Sequence, residues 1–88
     1  MTRRVDYDER AIEQAAGFLD DPQGISAVLD AIDQLTEDPR PAGSFPYGSP
    51  DLRRLRIGRY RVLYEITEDA IAVRHIARGA GSLLPTNQ

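Results

Sequence analysis

The sequence predicts one α+β domain: an N-terminal strand, a two-helix hairpin, then a three-stranded antiparallel meander packed on the helices. Three observations predict it. Apolar residues recur at helical spacing between about residues 9 and 37. They alternate at strand spacing from residue 52 onward. A chain of 88 residues holds one modest core rather than two, so 1–88 reads as a single domain.

Each element follows from local chemistry. Arg3, Val5 and Tyr7 alternate with Arg4 and Asp6, which reads as a strand over residues 2–7. Asp8 can cap a helix from Glu9 to about Leu19, with Ile12, Ala15, Ala16 and Leu19 on its apolar stripe. Asp21-Pro22 starts a second helix, with Asp21 as the cap and Pro22 at the first helical position. Its stripe is Ile25, Val28, Leu29, Ile32 and Leu35, and Asp38-Pro39-Arg40-Pro41 ends it after about Glu37. The acidic residues of this region, Asp20, Asp30, Asp33, Glu37 and Asp38, form a solvated face. Residues 42–51, rich in Gly, Ser and Pro, are expected to be a loop with Phe45 and Tyr47 packed on the core rim. Three strands follow, Leu52–Ile57, Tyr60–Thr67 and Ala70–Arg78, broken by Gly58-Arg59 and Glu68-Asp69. A Gly at the first central position suits a type II′ hairpin turn.

Composition narrows the function. With no cysteine there is no disulfide and no thiolate chemistry, and no apolar run approaches the roughly 20 residues of a membrane span. The N-terminus turns acidic at once and has no signal-peptide core, so a cytoplasmic location away from membranes is expected. One histidine, and no Gly-x-Gly-x-x-Gly or Gly-Lys-Ser/Thr run, leave no basis for a metal, triad, P-loop or dinucleotide site; no cofactor is expected. The net charge of −3 conceals an asymmetry. Residues 1–50 hold four arginines against ten carboxylates, and residues 51–88 hold seven against four. All eleven basic residues are arginine, which genomic base composition can explain, but arginine is also the side chain best suited to bidentate phosphate contact.

The register of the meander sharpens this. Two-residue turns place Arg56 opposite Arg61, Leu55 opposite Val62, Tyr64 opposite Val73, Val62 opposite His75 and Arg61 opposite Ile76. One face then carries Leu55, Ile57, Val62, Tyr64, Ile66, Ile71, Val73 and Ala77 and covers the helices. The other carries Arg54, Arg56, Arg61, Glu65, Arg74 and Arg78, with Leu63 and Ile76 between them. A half-exposed sheet needs a polar outer face in any case, and Glu65 can pair diagonally with Arg74. Opposed like charges such as Arg56 and Arg61 are nevertheless destabilising unless an anion neutralises them, which points to phosphate or an acidic partner.

The order of elements, the opening Asp6-Tyr7-Asp8-Glu9-Arg10-Ala11 and the stretch from Leu55 to Ile66 with its Tyr60-Arg61-Val62-Leu63-Tyr64 core resemble the RelE/ParE superfamily of toxins, to about residue 81. The resemblance implies the toxin of a toxin–antitoxin pair, bound by a cognate antitoxin in a hetero-oligomer. On its RelE-like branch, the favoured one, it implies a metal-independent, ribosome-dependent mRNA endoribonuclease in which a 2′-hydroxyl attacks its own 3′ phosphate and basic side chains stabilise the developing charge. Arg61 matches the family's central arginine, Arg54 and Arg56 its basic residues on the preceding strand, and Arg78 the start of its final basic cluster, which falls on residues 78–83. The sequence departs there: Gly79 stands at the next basic position and no tyrosine follows Tyr64. On this reading Arg61, Arg78 and Arg54 are catalytic and Arg56 and Arg74 bind RNA. His75 is a candidate general acid or base; strict alternation puts it on the helix side, and a bulge near the strand's end would turn it outward. The alternatives are a ParE-like toxin that inhibits DNA gyrase by binding, and a catalytically degenerate module that only binds the antitoxin.

Overall fold

The computed structural model describes residues 2–79. Its elements are β1 (Arg4–Tyr7), α1 (Glu9–Ala16), α2 (Pro22–Gln34), β2 (Ser44–Pro46), β3 (Leu52–Ile57), β4 (Tyr60–Ile66) and β5 (Ala70–Arg78). The strands form one sheet in the order β1-β5-β4-β3-β2. β1 runs parallel to β5, and the other neighbours are antiparallel. This is the α+β architecture expected, with one short edge strand added. No helix among the described residues is long and apolar enough to cross a membrane.

Both helices start where the sequence places caps. The Asp8 carboxylate accepts from the Arg10 N–H at 3.2 Å, and that of Asp21 accepts from the Gly24 N–H at 3.2 Å. These contacts satisfy backbone donors that the first turn leaves open. α1 is shorter than its apolar pattern implies. It stops at Ala16 because Gly17 and the following residues turn back, and Leu19 and Ile12 are exposed rather than packed. Ala11 takes the buried place instead. In α2 the expected stripe holds: Ile25, Val28, Ile32 and the following Leu35 are buried, while Leu29 lies at the margin.

The core lies between α2, α1 and the inner face of β3, β4 and β5, and contains Leu55, Val62, Tyr64, Ile66, Ile71 and Val73. Two buried tyrosines tie the sheet to the loops through their polar ends, as buried phenols must. The Tyr60 hydroxyl donates to Asp21 at 2.9 Å and the Tyr64 hydroxyl to the Pro39 carbonyl at 2.6 Å. Phe18 meets the Tyr60 ring edge-on, with centroids 5.4 Å apart.

The β3–β4 register is the expected one, with Arg56 opposite Arg61 and Leu55 opposite Val62. The β4–β5 register is as expected only as far as Tyr64 opposite Val73. There a bulge intervenes, and Leu63, Val62, Arg61 and Tyr60 face His75, Ile76, Ala77 and Arg78. Every residue of β5 after Arg74 therefore changes face. Ile76, expected outside, is in the core, and Ala77, expected inside, lies opposite Arg61. The exchange buries the larger side chain, which favours it by roughly 0.8 kcal/mol per additional methylene removed from water. His75 turns outward beside Leu63, and Arg78 leaves the outer face for the Tyr60 side.

Candidate functional site

Strand alternation along β3 sends Arg54 and Arg56 outward on either side of buried Leu55. Along β4 it sends Arg61 outward between Tyr60 and Val62. β2 then brings an unexpected component. Phe45 pairs opposite Arg54, and the Tyr47 N–H donates to the Leu52 carbonyl at 2.7 Å. Both aromatic rings are exposed, at 62% and 52%, so they stand on the arginine face and not on the core rim where the sequence pattern placed them. The Arg54 guanidinium lies 5.7 Å from the centre of the Tyr47 ring.

These side chains form two adjoining hollows. One, of about 190 Å³, is lined by Tyr47, Arg54, Arg61, Leu63, His75 and Ala77. The other, of about 130 Å³, is lined by Gly43, Phe45, Arg54, Arg56 and Arg61. Arg54 and Arg61 border both.

The structure sorts the seven arginines after residue 50 by whether they are already held. Arg53 donates to the Ser44 hydroxyl and to the Ser44 carbonyl, each at 3.1 Å, and pins β2 to β3. Arg59 approaches Asp21 at 3.4 Å. Arg74 is neutralised by Glu65 at 2.7 Å, with Asp8 at 3.9 Å. Arg78 is paired with Asp20 at 3.1 Å, and its guanidinium covers the Phe18 ring at 4.7 Å from the centroid. Arg54, Arg56 and Arg61 have no ion pair to a carboxylate among the described residues. Of the sequence-derived set, therefore, Arg54, Arg56, Arg61 and His75 come together. Arg74 lies to one side with its charge compensated, and Arg78 serves the packing of the α1–α2 turn. Of the final cluster that the sequence places on residues 78–83, positions 80–83 lie outside the described residues.

His75 is reached from α1. The Gln14 side-chain nitrogen lies 2.9 Å from His75 Nδ1, and the Gln14 oxygen accepts from the Ile76 N–H at 2.7 Å. Sequence reasoning missed Gln14 and Tyr47. Nothing in the helix pattern marks Gln14. Tyr47 could have been noticed as an aromatic residue a few positions before an arginine-bearing strand, a combination that suits stacking on an unpaired base.

Chemically, the three guanidinium groups without a carboxylate partner among the described residues can hold phosphate oxygens, the imidazole adds a further polar ring, and Phe45 and Tyr47 offer flat apolar faces. Such a surface fits a single-stranded, phosphate-bearing chain better than a neutral small molecule.

Comparison with known proteins agrees with the fold. The family model described as the ParE toxin of the type II toxin–antitoxin system, parDE, matches residues 5–82. No curated protein sequence matches the chain. Among solved structures, a mutant of E. coli RelE in the free state is similar at a TM-score of 0.77 and 20% identity, over 93% of this chain and 90% of that one. The toxin–antitoxin complex RelBE2 of Mycobacterium tuberculosis gives 0.73 and 19%, over 89% and 99%. The chromosomal ParDE system of P. aeruginosa gives 0.73 and 11%, over 88% and 96%.

Proposed function

The chain belongs to the ParE toxin family of type II toxin–antitoxin systems, and from its arginine face we infer that this toxin acts on RNA, cleaving mRNA on the ribosome until a cognate antitoxin blocks it. The observation that carries the reading is the trio Arg54, Arg56 and Arg61. These groups share one face, line one hollow together, and have no carboxylate partner among the described residues. A polyanion supplies the missing counter-charge.

In this reading the scissile phosphate sits at Arg61, between the two hollows. The 2′-oxygen of the upstream nucleotide bonds to phosphorus as the bond from phosphorus to the 5′-oxygen breaks. The products are a cyclic 2′,3′-phosphate and a 5′-hydroxyl, and the proton released by the 2′-hydroxyl and the one taken up by the 5′-oxygen exchange with solvent. Arg61 stabilises the charge that builds on the phosphoryl oxygens, where preorganised donors have their largest effect. Arg54 and Arg56 hold the neighbouring backbone. Phe45 and Tyr47 stack on bases splayed from the strand, a contact worth about 1–3 kcal/mol per base. His75 borders one of those hollows, on the Tyr47 side of the reacting phosphate. The antitoxin covers the same face with an acidic or amphipathic segment.

Two observations favour a second reading. The matching family model is that of ParE toxins, and Arg74 and Arg78, two of the five arginines in the sequence-derived set, are already neutralised within the chain. A toxin that inhibits DNA gyrase by binding needs no reactive phosphate site. Purified ribosomes carrying a defined mRNA, run beside a gyrase supercoiling reaction, separate the two: cleavage without gyrase inhibition is expected, and the reverse outcome assigns the chain to gyrase.

A further inference from the structure

β1 pairs with β5 only as far as Tyr7 opposite Val73, so the edge of β5 beyond Val73 faces α1 instead of a strand. The Ile76 N–H on that edge donates to the Gln14 side-chain oxygen at 2.7 Å. A backbone N–H can only donate, so the Gln14 amide has one orientation: oxygen toward Ile76, nitrogen toward His75. That nitrogen lies 2.9 Å from His75 Nδ1. It too can only donate, so Nδ1 must accept. In a neutral imidazole the proton then sits on Nε2. Nε2 makes no hydrogen bond to a described residue, and the ring borders the hollow shared with Arg54 and Arg61.

We propose that Gln14 is a positioning residue that holds His75 as its Nε2–H tautomer, making His75 a hydrogen-bond donor to a phosphoryl oxygen and not a proton-transfer group. A neutral ring that gave up the Nε2 proton would become an imidazolate, and a nitrogen that already carries hydrogen cannot take another. The group therefore adds an N–H beside the guanidinium groups at the point where negative charge develops. This replaces the general acid or base role that the lone histidine invites at first sight. The donor half rests on the RNA-cleavage reading above; the tautomer half does not.

His75 is the only histidine in the chain, so its two ring nitrogens can be read without ambiguity by long-range proton–nitrogen correlation NMR on the nitrogen-15-labelled protein, at a pH where the ring is neutral. The expected spectrum has an unprotonated Nδ1 and a protonated Nε2. In Gln14→Glu the carboxylate still accepts from Ile76 but can only accept from the ring, so the proton is expected to move to Nδ1. A wild-type ring protonated on Nδ1, or a mixture of tautomers, overturns the proposal without reference to any variant. So does a Gln14→Glu protein that keeps the wild-type pattern. The donor half is read in ribosome-dependent cleavage. His75→Gln, which retains an N–H donor, is expected to keep roughly 10-fold more rate than His75→Leu, whereas loss of a true acid or base costs 10²–10⁴-fold in either variant. Equal and complete loss in both overturns the donor role. A wild type that does not cleave sinks the RNA reading, and the donor role with it, while the tautomer result is judged on its own spectrum.

Discussion

Arg56 and Arg61 stand directly opposite one another across the β3–β4 ladder, on the solvent side of the sheet, with no carboxylate paired to either among the described residues. Like charges so placed destabilise a sheet by about 0.2–1 kcal/mol. The free chain bears that cost, and on the function proposed above a bound polyanion would relieve it. Arg56→Thr is therefore expected to raise the melting temperature of the isolated protein at low ionic strength. The gain should shrink as salt screens exposed charges over a Debye length of about 10 Å at 0.1 M. Thermal melts of both proteins at low and high salt check this; a variant less stable than wild type at low salt contradicts it.

Stability away from the face rests on the helix–sheet core. Ile32 is fully buried in α2, and Ile32→Ala is expected to cost roughly 2–4 kcal/mol because it leaves a cavity that close packing cannot fill. Asp33→Ala, at the next and exposed position, should change stability by less than about 0.5 kcal/mol. Denaturant titrations of the pair test the helix phase, and equal effects contradict it.

Acid sensitivity should centre on Asp21. The Tyr60 hydroxyl and the Gly24 N–H hold its carboxyl below the usual aspartate range, with a smaller contribution from Arg59. A folded value below the unfolded one means that the charged carboxylate stabilises the fold above the ordinary value of about 3.9, and that this contribution is lost as pH falls through the lowered folded value. Asp21→Asn retains a capping oxygen but does not titrate. Near neutrality it should be less stable than wild type, and the gap should close once the medium is more acidic than the folded value. Unfolding curves on both sides of that range decide it; a constant gap contradicts the assignment.

Arg78 and Arg54 should separate stability from function. Arg78 is engaged by Asp20 and the Phe18 ring, whereas among the described residues Arg54 has the Tyr47 face and no ion pair. Arg78→Ala is expected to lower the melting temperature while leaving affinity for single-stranded RNA nearly intact. Arg54→Ala should do the opposite and also flatten the salt dependence of RNA binding, since one fewer phosphate is neutralised. Melting and fluorescence titration of the two proteins give both readouts.

These contrasts show where the sequence was readable. The β3–β4 hairpin could be placed because Gly58-Arg59 fixes the turn and a slip of one residue would bury arginines under the helices. β5 could not be followed to its end. Strict alternation after Val73 buries His75 and Ala77, and only the size of Ile76 and the adjacent polar pair Arg74-His75 hint that a bulge intervenes. β2 escaped notice because three residues, one of them proline, carry no periodicity. Gln14 escaped because its partners, Ile76 and His75, lie some 60 positions along the chain and meet it only once the bulge has formed. Arg74 and Arg78 were indistinguishable from Arg54 and Arg61 in sequence, because what separates them is the position of Glu65, Asp8 and Asp20 in space.

On the function proposed above, the arginine face, without carboxylate partners among the described residues, holds a scissile phosphate. The most direct test of that claim is ribosome-dependent cleavage of a defined mRNA by the wild-type chain and by Arg61→Ala. Arg61 is exposed, so the variant should fold as wild type does, and circular dichroism and melting confirm that first. Wild type is expected to cleave, and Arg61→Ala to cleave on the order of 10²–10³-fold more slowly, the loss typical of a transition-state donor. A folded Arg61→Ala protein that cleaves at the wild-type rate contradicts the account.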